Sequence, residues 1–255
     1  MWAAEEQRPA AAAPVPPRFV LLPAGDRPQD GLALEQLLLE RAAGGGAFAA
    51  IWECRPALVV PATYRRFERF ELLCERSALQ GWPVSVRRSG GGLVPQGPGM
   101  VNLSLAWRTR CRMAEAMEPV YRGLCGLLQE AFEAFGLEAL AQPVEGSFCD
   151  GRFNLALDGR KVVGTAQYWK RANAEEHVVL AHACVLVDAD LPLLVGRANA
   201  FEAQLGSDKQ YRVEAVANLV SGLDRVPVDG PRPGLTAASF AQRLAQVVDG
   251  SAALC

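Results

Sequence analysis

Two kinds of hydrophobic spacing occur along this chain, and together they predict a protein built from both helices and strands. Some segments repeat apolar residues every three or four positions, as a helix with one buried face does, whereas others alternate or run continuously like strands. Helical spacing is found at 31–43, 64–79, 115–135, 192–205, 212–220 and 236–248. Strand patterns are found at 19–22, 48–53, 57–60, 82–86, 100–107, 153–157, 161–168 and 178–187. Strands and helices do not alternate regularly, so we expect an α/β (α+β) fold with a mixed, largely antiparallel sheet flanked by helices.

Short local signals predict where several of these elements begin and turn. Asp30 and Thr236 precede helical patterns and are suited to cap them. The patterns at 48–53 and 57–60 read as one hairpin. A second hairpin is predicted at Asp158-Gly159, a dipeptide that favours a type I′ turn.

Length and composition limit the classes of protein that fit this chain. It has 255 residues, is 50% hydrophobic and carries a formal charge of −2, which suits one large domain and gives no basic field for nucleic acid. No apolar run is long enough to span a bilayer, so we expect no membrane partner. We expect a disordered arm rich in alanine and proline over 1–17, a catalytic domain over 18–225, and a connector with a C-terminal helix on the same domain over 226–255.

The cysteines point to a reducing compartment. There are seven of them, an odd number with no C-x-x-C spacing, and only two histidines accompany them. We therefore expect no structural metal site and a cytoplasmic protein.

A glycine loop follows the strand pattern at 82–86 and reads RRSGGG from Arg87 to Gly92. Three consecutive glycines allow the backbone to approach a ligand closely. The loop lacks the Gly-Lys-Ser/Thr of a P-loop, and a strand rather than a helix follows it, which excludes a dinucleotide fingerprint. Taken alone, the triple glycine is a weak signal, and a flexible loop is the favoured interpretation.

Residues 146–167 hold the candidate chemistry. Cys149 lies in a turn-rich loop and is a candidate nucleophile for acyl transfer, with a structural thiol as the alternative. Lys161, which follows the Asp158-Gly159 turn, would hold the acyl carbonyl oxygen. If that turn has two residues, Lys161 pairs with Ala156, and a straight strand would leave Cys149 on the order of 23 Å from that position. The loop must therefore fold back over the sheet, and strict alternation would direct Lys161, Val163, Thr165 and Gln167 to one face that lines the cleft.

Both segments resemble the lipoate-protein ligase and octanoyltransferase superfamily, whose catalytic domain is of the biotin/lipoate protein ligase type. The family pattern R-x-S-G-G, then a strand with N-x-S, reads here as Arg87, Ser89, Gly90, Gly91, Asn102 and Ser104. The pattern G-[KR]-K-x-x-G-x-[AS]-Q reads as 159–167. A cysteine twelve residues before the lysine, as Cys149 stands before Lys161, is similar to the cysteine-dependent octanoyl/lipoyl amidotransferase branch. The resemblance covers roughly 32–223 and includes a third stretch at 182–190.

The resemblance implies roles for individual residues. Cys149 and Lys161 would be catalytic. The remaining residues would bind the acyl group and its reactive end: Arg87, Ser89, Gly90, Gly91, Gly92, Asn102, Gly164, Thr165, Gln167 and His182. His182 is also compatible with an ordinary strand histidine.

Two departures from the family concern ATP. The ATP-using ligases usually carry a His-Asp pair after the glycine loop, where this chain has Pro95-Gln96. We also expect no separate C-terminal accessory domain. Both departures favour transfer without a cofactor, with lipoate or octanoate as the transferred group, whereas ATP and Mg belong only to the ligase alternative.

The leading hypothesis is a transferase that moves an octanoyl or lipoyl group to a lysine of a lipoyl-domain protein through a thioester on Cys149. Acyl-carrier or lipoyl-domain proteins would be donor and acceptor. The alternatives are an ATP-dependent lipoate-protein ligase that forms a lipoyl-adenylate, and a non-catalytic binder of lipoate- or biotin-like acids.

Overall fold

The computed structural model of the chain describes residues 16–225 and 234–255, which contain five α-helices and ten β-strands. The helices are α1 (Gly31–Ala43), α2 (Phe70–Leu79), α3 (Met113–Glu133), α4 (Leu191–Leu205) and α5 (Ala237–Val248). The strands are β1 (Phe19–Leu21), β2 (Ala47–Trp52), β3 (Ala57–Pro61), β4 (Val84–Arg87), β5 (Val94–Gln96), β6 (Met100–Thr109), β7 (Leu140–Ala141), β8 (Leu155–Leu157), β9 (Arg160–Arg171) and β10 (His177–Leu186). None of the described helices is both long and apolar enough to cross a membrane.

The strands form two sheets. The larger has seven strands in the order β1-β2-β6-β10-β9-β8-β7, and all its pairs are antiparallel except β1 with β2. The smaller has the order β4-β3-β5. This mixed, largely antiparallel architecture with flanking helices confirms the predicted fold class.

The larger sheet buries both faces. One face packs on α3 and α5, where the Phe132 and Phe240 rings lie 5.6 Å apart. The other face is covered at one end by α1 and at the other end by the smaller sheet with α2 and α4. The polar side chains of Asn102 and Ser104 on β6 are therefore buried between layers, which already marks this region as unusual for a core strand.

Local signals account for several element boundaries. The Asp30 carboxylate accepts from the Ala33 N–H at 2.7 Å, and Thr236 forms a capping box with Ser239. Asp158 and Gly159 both have positive φ, 49° and 75°, as a type I′ turn requires, and Lys161 pairs with Ala156 as predicted.

The predicted hairpin of 48–53 with 57–60 is wrong, because β2 and β3 belong to different sheets. Ala49 and Ala50 of β2 point to opposite faces and neither is exposed. A strand that is buried on both faces lies inside a sheet, between two other strands. β2 therefore pairs with β1 and β6 and not with β3, the next strand in sequence.

Two predicted helices also differ from the structure, because one is shorter than predicted and the other is absent. The segment 64–79 begins as a 3-10 turn, Ala62–Arg66, and becomes α2 only at Phe70, because Phe67 is extended with ψ 126°. The segment 212–220 is not an α-helix, since Val216 bridges to Lys161 and the Ala217 N–H donates to the Lys161 carbonyl at 2.9 Å. Most of the predicted arm and of the connector lies outside the described residues, so the division into domains stays a prediction.

Candidate active site

A cavity of about 360 Å³ lies between the larger sheet, α1 and the smaller sheet, within the size range of small-molecule sites. Its wall is mostly apolar but carries polar groups from several elements. The polar side chains on that wall include Glu35, Cys54, Arg87, Gln96, Asn102, Ser104, Cys149, Lys161, Thr165, His182 and Cys184. Most of the sequence-predicted site residues therefore meet around one cavity.

The loop before β8 folds back over the sheet, as the hairpin geometry required. The buried Lys161 ammonium donates to the carbonyl of Phe148 and, at 3.1 Å, to that of Cys149. Asn154 ties the same loop to β9, because its amide donates to the Cys149 carbonyl at 3.1 Å and accepts from the Thr165 N–H at 3.4 Å. The loop that holds the candidate nucleophile is thus fixed by two buried side chains.

The Cys149 thiol lies directly against the glycine loop. The Gly92 N–H donates to Sγ at 3.2 Å. Cys149 has φ 50°, a conformation that non-glycine residues adopt rarely and at a cost of about 1–3 kcal/mol. Gly91 has φ +105°, and a Cβ there would lie 2.2 Å from Sγ, so only glycine allows this contact.

Two further thiols line the cavity but are poorer nucleophiles. Burial raises the pKa of Cys54 to about 12 and that of Cys184 to about 11. Both remain thiols at neutral pH, and a thiol reacts through its thiolate. Cys149 differs from them in its contact with a backbone N–H of the glycine loop.

Lys161 reaches this site because β9 contains a bulge. Ala156 pairs with Lys161, but Leu155 pairs with Val163, so Val162 is an extra residue. The bulge shifts the alternation by one, and Lys161 lies on the same face as Gly164 and Ala166. Burial lowers the pKa of Lys161 to about 8, opposed by the attraction of nearby Cys149.

The predicted common face of Lys161, Val163, Thr165 and Gln167 is therefore wrong. Val163 packs in the core below the sheet. Gln167 does not line the cavity, since its amide donates to the Met117 carbonyl on α3 at 2.8 Å. Thr165 borders the cavity, but its hydroxyl donates to the Phe153 carbonyl at 2.8 Å.

Gly164 leaves room for the Lys161 ammonium, and Arg87 holds the glycine loop. A Cβ on Gly164 would lie 3.2 Å from the Lys161 Nζ. The buried Arg87 guanidinium donates to the carbonyls of Val59, Gly90 and Gly92 at 3.0, 2.8 and 2.7 Å. Arg87 therefore shapes the glycine loop from within, while the loop's amide faces the thiol.

A second hydrogen-bonded group connects α1, β10 and the glycine loop. The Glu35 carboxylate lies 2.6 Å from His182 Nδ1, and Ser89 Oγ lies 2.9 Å from His182 Nε2. Glu35 also accepts from Ser104 at 3.0 Å. His182 therefore links the Glu35 carboxylate to the Ser89 hydroxyl through its two ring nitrogens. Sequence reasoning missed Glu35, whose signal was a carboxylate between Leu34 and Leu38 on the apolar face of a helix.

Asn102 forms a reciprocal amide pair with Gln96, at 3.0 and 3.2 Å. Gln96 additionally contacts the thiols of Cys54 and Cys184 at 3.2 and 3.3 Å. Gln96 lies on the short strand β5, which the sequence pattern did not reveal.

The cavity wall carries two buried cationic side chains, Arg87 and Lys161. Arg87 uses three of its five N–H donors on backbone carbonyls, and Lys161 uses two of its three. Among residues 16–225 and 234–255, no group of three or more His, Cys, Asp or Glu is arranged to hold a metal ion.

Comparison with solved structures identifies the class of fold as that of the lipoate protein ligases. Lipoate-protein ligase A bound with ATP aligns with a TM-score of 0.61 at 17% identity, over 93% of this chain and 88% of that one. The family follows from the sequence: the model for the lipoyl protein ligase A/B catalytic domain matches residues 27–248, and this chain belongs to that family.

Two relatives extend over most of the chain. An Octanoyl-[GcvH]:protein N-octanoyltransferase of Kyrpidia tusciae is 33% identical over 201 residues, covering 75% of this chain and 68% of that protein. An uncharacterized protein of Cupriavidus necator is 44% identical over 211 residues, covering 78% of this chain and 83% of that protein. The family and the named relative support an enzyme of the acyltransferase or ligase type.

Proposed function

We propose that this protein is an octanoyl/lipoyl transferase that moves an acyl group between proteins through a thioester on Cys149. The observation that carries the proposal is the Cys149 thiol itself, held in a strained backbone conformation at the cavity wall, 3.2 Å from the Gly92 N–H. Strain concentrated at one thiol beside an apolar cavity is typical of a nucleophile that its surroundings hold in place.

In the first half-reaction the Cys149 thiolate attacks the carbonyl carbon of the donor's acyl-lysine amide. The acyl tail extends into the apolar cavity. The oxyanion that forms beside Sγ is stabilised by N–H groups of the glycine loop, of which Gly92 is closest to the sulfur. A single such donor is typically worth about 10²–10³ in rate. The C–N bond then breaks, and the donor's lysine leaves as an amine that takes up a proton.

Lys161 serves this step by holding the nucleophile. Its ammonium donates to the carbonyls of Phe148 and Cys149 and so fixes the loop that carries the thiol. Arg87 adds a second positive charge behind the loop.

In the second half-reaction the ε-amine of a lysine on a lipoyl-domain protein attacks the thioester. The C–S bond breaks, an amide forms, and the thiolate is regenerated. An amide is exchanged for an amide, so ATP is not consumed. The donor and the use of a protein acceptor follow the Kyrpidia tusciae relative, whose name specifies transfer from octanoyl-GcvH to protein, and the lipoyl-domain acceptor is part of this proposal.

Purified protein with octanoylated GcvH and an apo lipoyl domain, without ATP, tests the proposal. We expect octanoyl transfer by the wild type, none by Cys149→Ala, and full transfer by Cys74→Ala, which removes a half-buried thiol of α2 that does not line the cavity. Full transfer by Cys149→Ala would refute the covalent mechanism. Modification that instead requires free lipoate with ATP would identify a ligase, and binding of lipoate without either reaction would identify a non-catalytic binder.

A further inference from the structure

One exposed lysine that the proposed mechanism does not use lies beside the glycine loop, near the backbone of Cys149. A Cβ on Gly92 would lie 3.7 Å from the Lys209 Nζ and 3.6 Å from the Cys149 Cα. The Lys209 Nζ and the Cys149 Cα are therefore at most about 7.3 Å apart. Lys209 does not line the cavity, so its ammonium approaches the glycine loop from outside it.

The ammonium of Lys209 contacts a tyrosine whose hydroxyl is in turn hydrogen-bonded to a buried carboxylate. It donates to the Tyr64 hydroxyl at 3.2 Å and lies 5.1 Å from the centre of the Tyr64 ring, which is cation–π geometry. Behind it, the Glu202 carboxylate is fully buried. Its Oε1 accepts from the hydroxyls of Tyr64 and, at 2.9 Å, Tyr211.

The same site is connected to the loop that contacts the thiol. The Tyr64 hydroxyl accepts the Leu93 N–H at 3.3 Å, one residue after Gly92. The Tyr211 ring contacts that of Phe148, one residue before Cys149, with centroids 5.2 Å apart. A group bound at Tyr64 is thereby held in fixed relation to Gly92 and Cys149.

Two observations indicate that Lys209 is a replaceable occupant. Within the described residues Lys209 makes no salt bridge, and the aromatic ring and one hydroxyl are what hold its ammonium. The second oxygen of Glu202, Oε2, is buried and has no hydrogen-bond partner among those residues. A buried acceptor without a partner costs about 1–3 kcal/mol, and sites that bind a ligand often retain such groups.

We propose that the site formed by Tyr64, Tyr211 and Glu202 binds the ε-ammonium of the acceptor lysine, and that Lys209 fills it in the absence of an acceptor. The inference rests on the proposed function, because it specifies how the amine reaches the thioester. The acyl tail fills the cavity on one side of Cys149, while the acceptor's alkylammonium enters from the Lys209 side. On attack a C–N bond forms and the C–S bond breaks. The ammonium loses two protons to water, and the sulfur leaves as the thiolate.

Lys209 then competes with the acceptor for the same site, so the proposal predicts the direction in which the KM for the acceptor changes when Lys209 is removed. Removing the competitor lowers the apparent KM for an amine without lowering the rate at saturation. If Lys209 fills the site nine-tenths of the time, the gain is about tenfold. A lysine that merely supported the fold, or that attracted the acceptor by charge, would give the opposite sign when removed.

The experiment uses acyl-enzyme prepared with octanoylated GcvH and freed of donor, then mixed with Nα-acetyl-lysine methylamide. We expect Lys209→Ala to release octanoyl-lysine with a KM several-fold lower than the wild type, and Lys170→Ala, which removes an exposed lysine at the far end of β9, to match the wild type. An unchanged or raised KM in Lys209→Ala would overturn the proposal. The two proposals fail separately, since absence of the acyl-enzyme refutes the proposed function, whereas a normal acyl-enzyme with an unaltered KM refutes only the amine site.

Discussion

Gly91→Ala is the substitution for which the structure gives the largest effect from the smallest change. The new Cβ would lie 2.2 Å from the Cys149 Sγ and 3.1 Å from an Arg87 nitrogen. To reach 3.4 Å, the short limit of ordinary contact, the thiol must retreat by about 1.2 Å. A misplacement of about 1 Å at a reacting group costs on the order of 100-fold in rate. The φ of +105° adds about 1–3 kcal/mol of backbone strain for any residue other than glycine.

Single-turnover formation of the octanoyl-enzyme, followed by intact mass, measures this directly. We expect Gly91→Ala to form it about 100-fold more slowly, with a melting temperature reduced but a cooperative unfolding transition. Gly90→Ala is the matched control, because a Cβ there meets nothing within 4 Å and its carbonyl still accepts from Arg87. If folded Gly91→Ala formed the acyl-enzyme as fast as Gly90→Ala, the contact between the loop and the thiol would have no part in the chemistry.

Three further perturbations test the site in other ways. Burial gives Lys161 a folded pKa of about 8, below its unfolded pKa of about 10.4. Between these two pH values the folded state binds fewer protons than the unfolded state. The free energy of unfolding should therefore rise with pH in this range, by about 3 kcal/mol in total. Urea denaturation at pH 7.5 and 10.5 should show this rise in the wild type but not in Lys161→Met, and an equal rise in both would refute the assignment. Asn154→Ala removes the amide that holds the Cys149 carbonyl, so we expect a loss of about 1–3 kcal/mol in stability and slower acylation at saturating donor, whereas unchanged kinetics would show that the loop holds itself. Glu35→Gln should keep the fold but weaken the orientation of His182, raising the KM for the donor more than it lowers kcat, and an unchanged KM would show that His182 does not touch the acyl group.

Helix caps, tight turns and the pairing next to a turn could be predicted from the sequence, because each depends on residues that are close together in the chain. The cap at Asp30, the turn at Asp158-Gly159 and the pairing of Lys161 with Ala156 all depend on residues adjacent in sequence. The hairpin of β2 with β3 failed because strand pairing was decided by burial on both faces of β2, which is a tertiary requirement.

The sequence placed most of the candidate residues around one cavity but did not predict their contacts, and their roles stay predictions. Cys149 and Lys161 were identified by type and spacing, yet the contact joins the ammonium to backbone carbonyls and leaves the thiol to the Gly92 N–H. Because Val162 forms a bulge, Gln167 lies on the opposite face of the sheet from Lys161. No sequence pattern predicts such an extra residue in a strand pairing. Glu35 and Gln96 joined the site through packing between distant elements, which pattern analysis of single elements does not address.

The most direct measurement is a chase of the isolated acyl-enzyme. Octanoylated GcvH is incubated with the protein without ATP, the adduct is mapped by peptide mass spectrometry, and the isolated adduct is mixed with an apo lipoyl domain. The account predicts a thioester on Cys149 that passes its octanoyl group to the acceptor at least as fast as the overall reaction runs. Overall transfer that proceeds while no adduct forms on Cys149, or while the adduct decays more slowly than transfer, would contradict it.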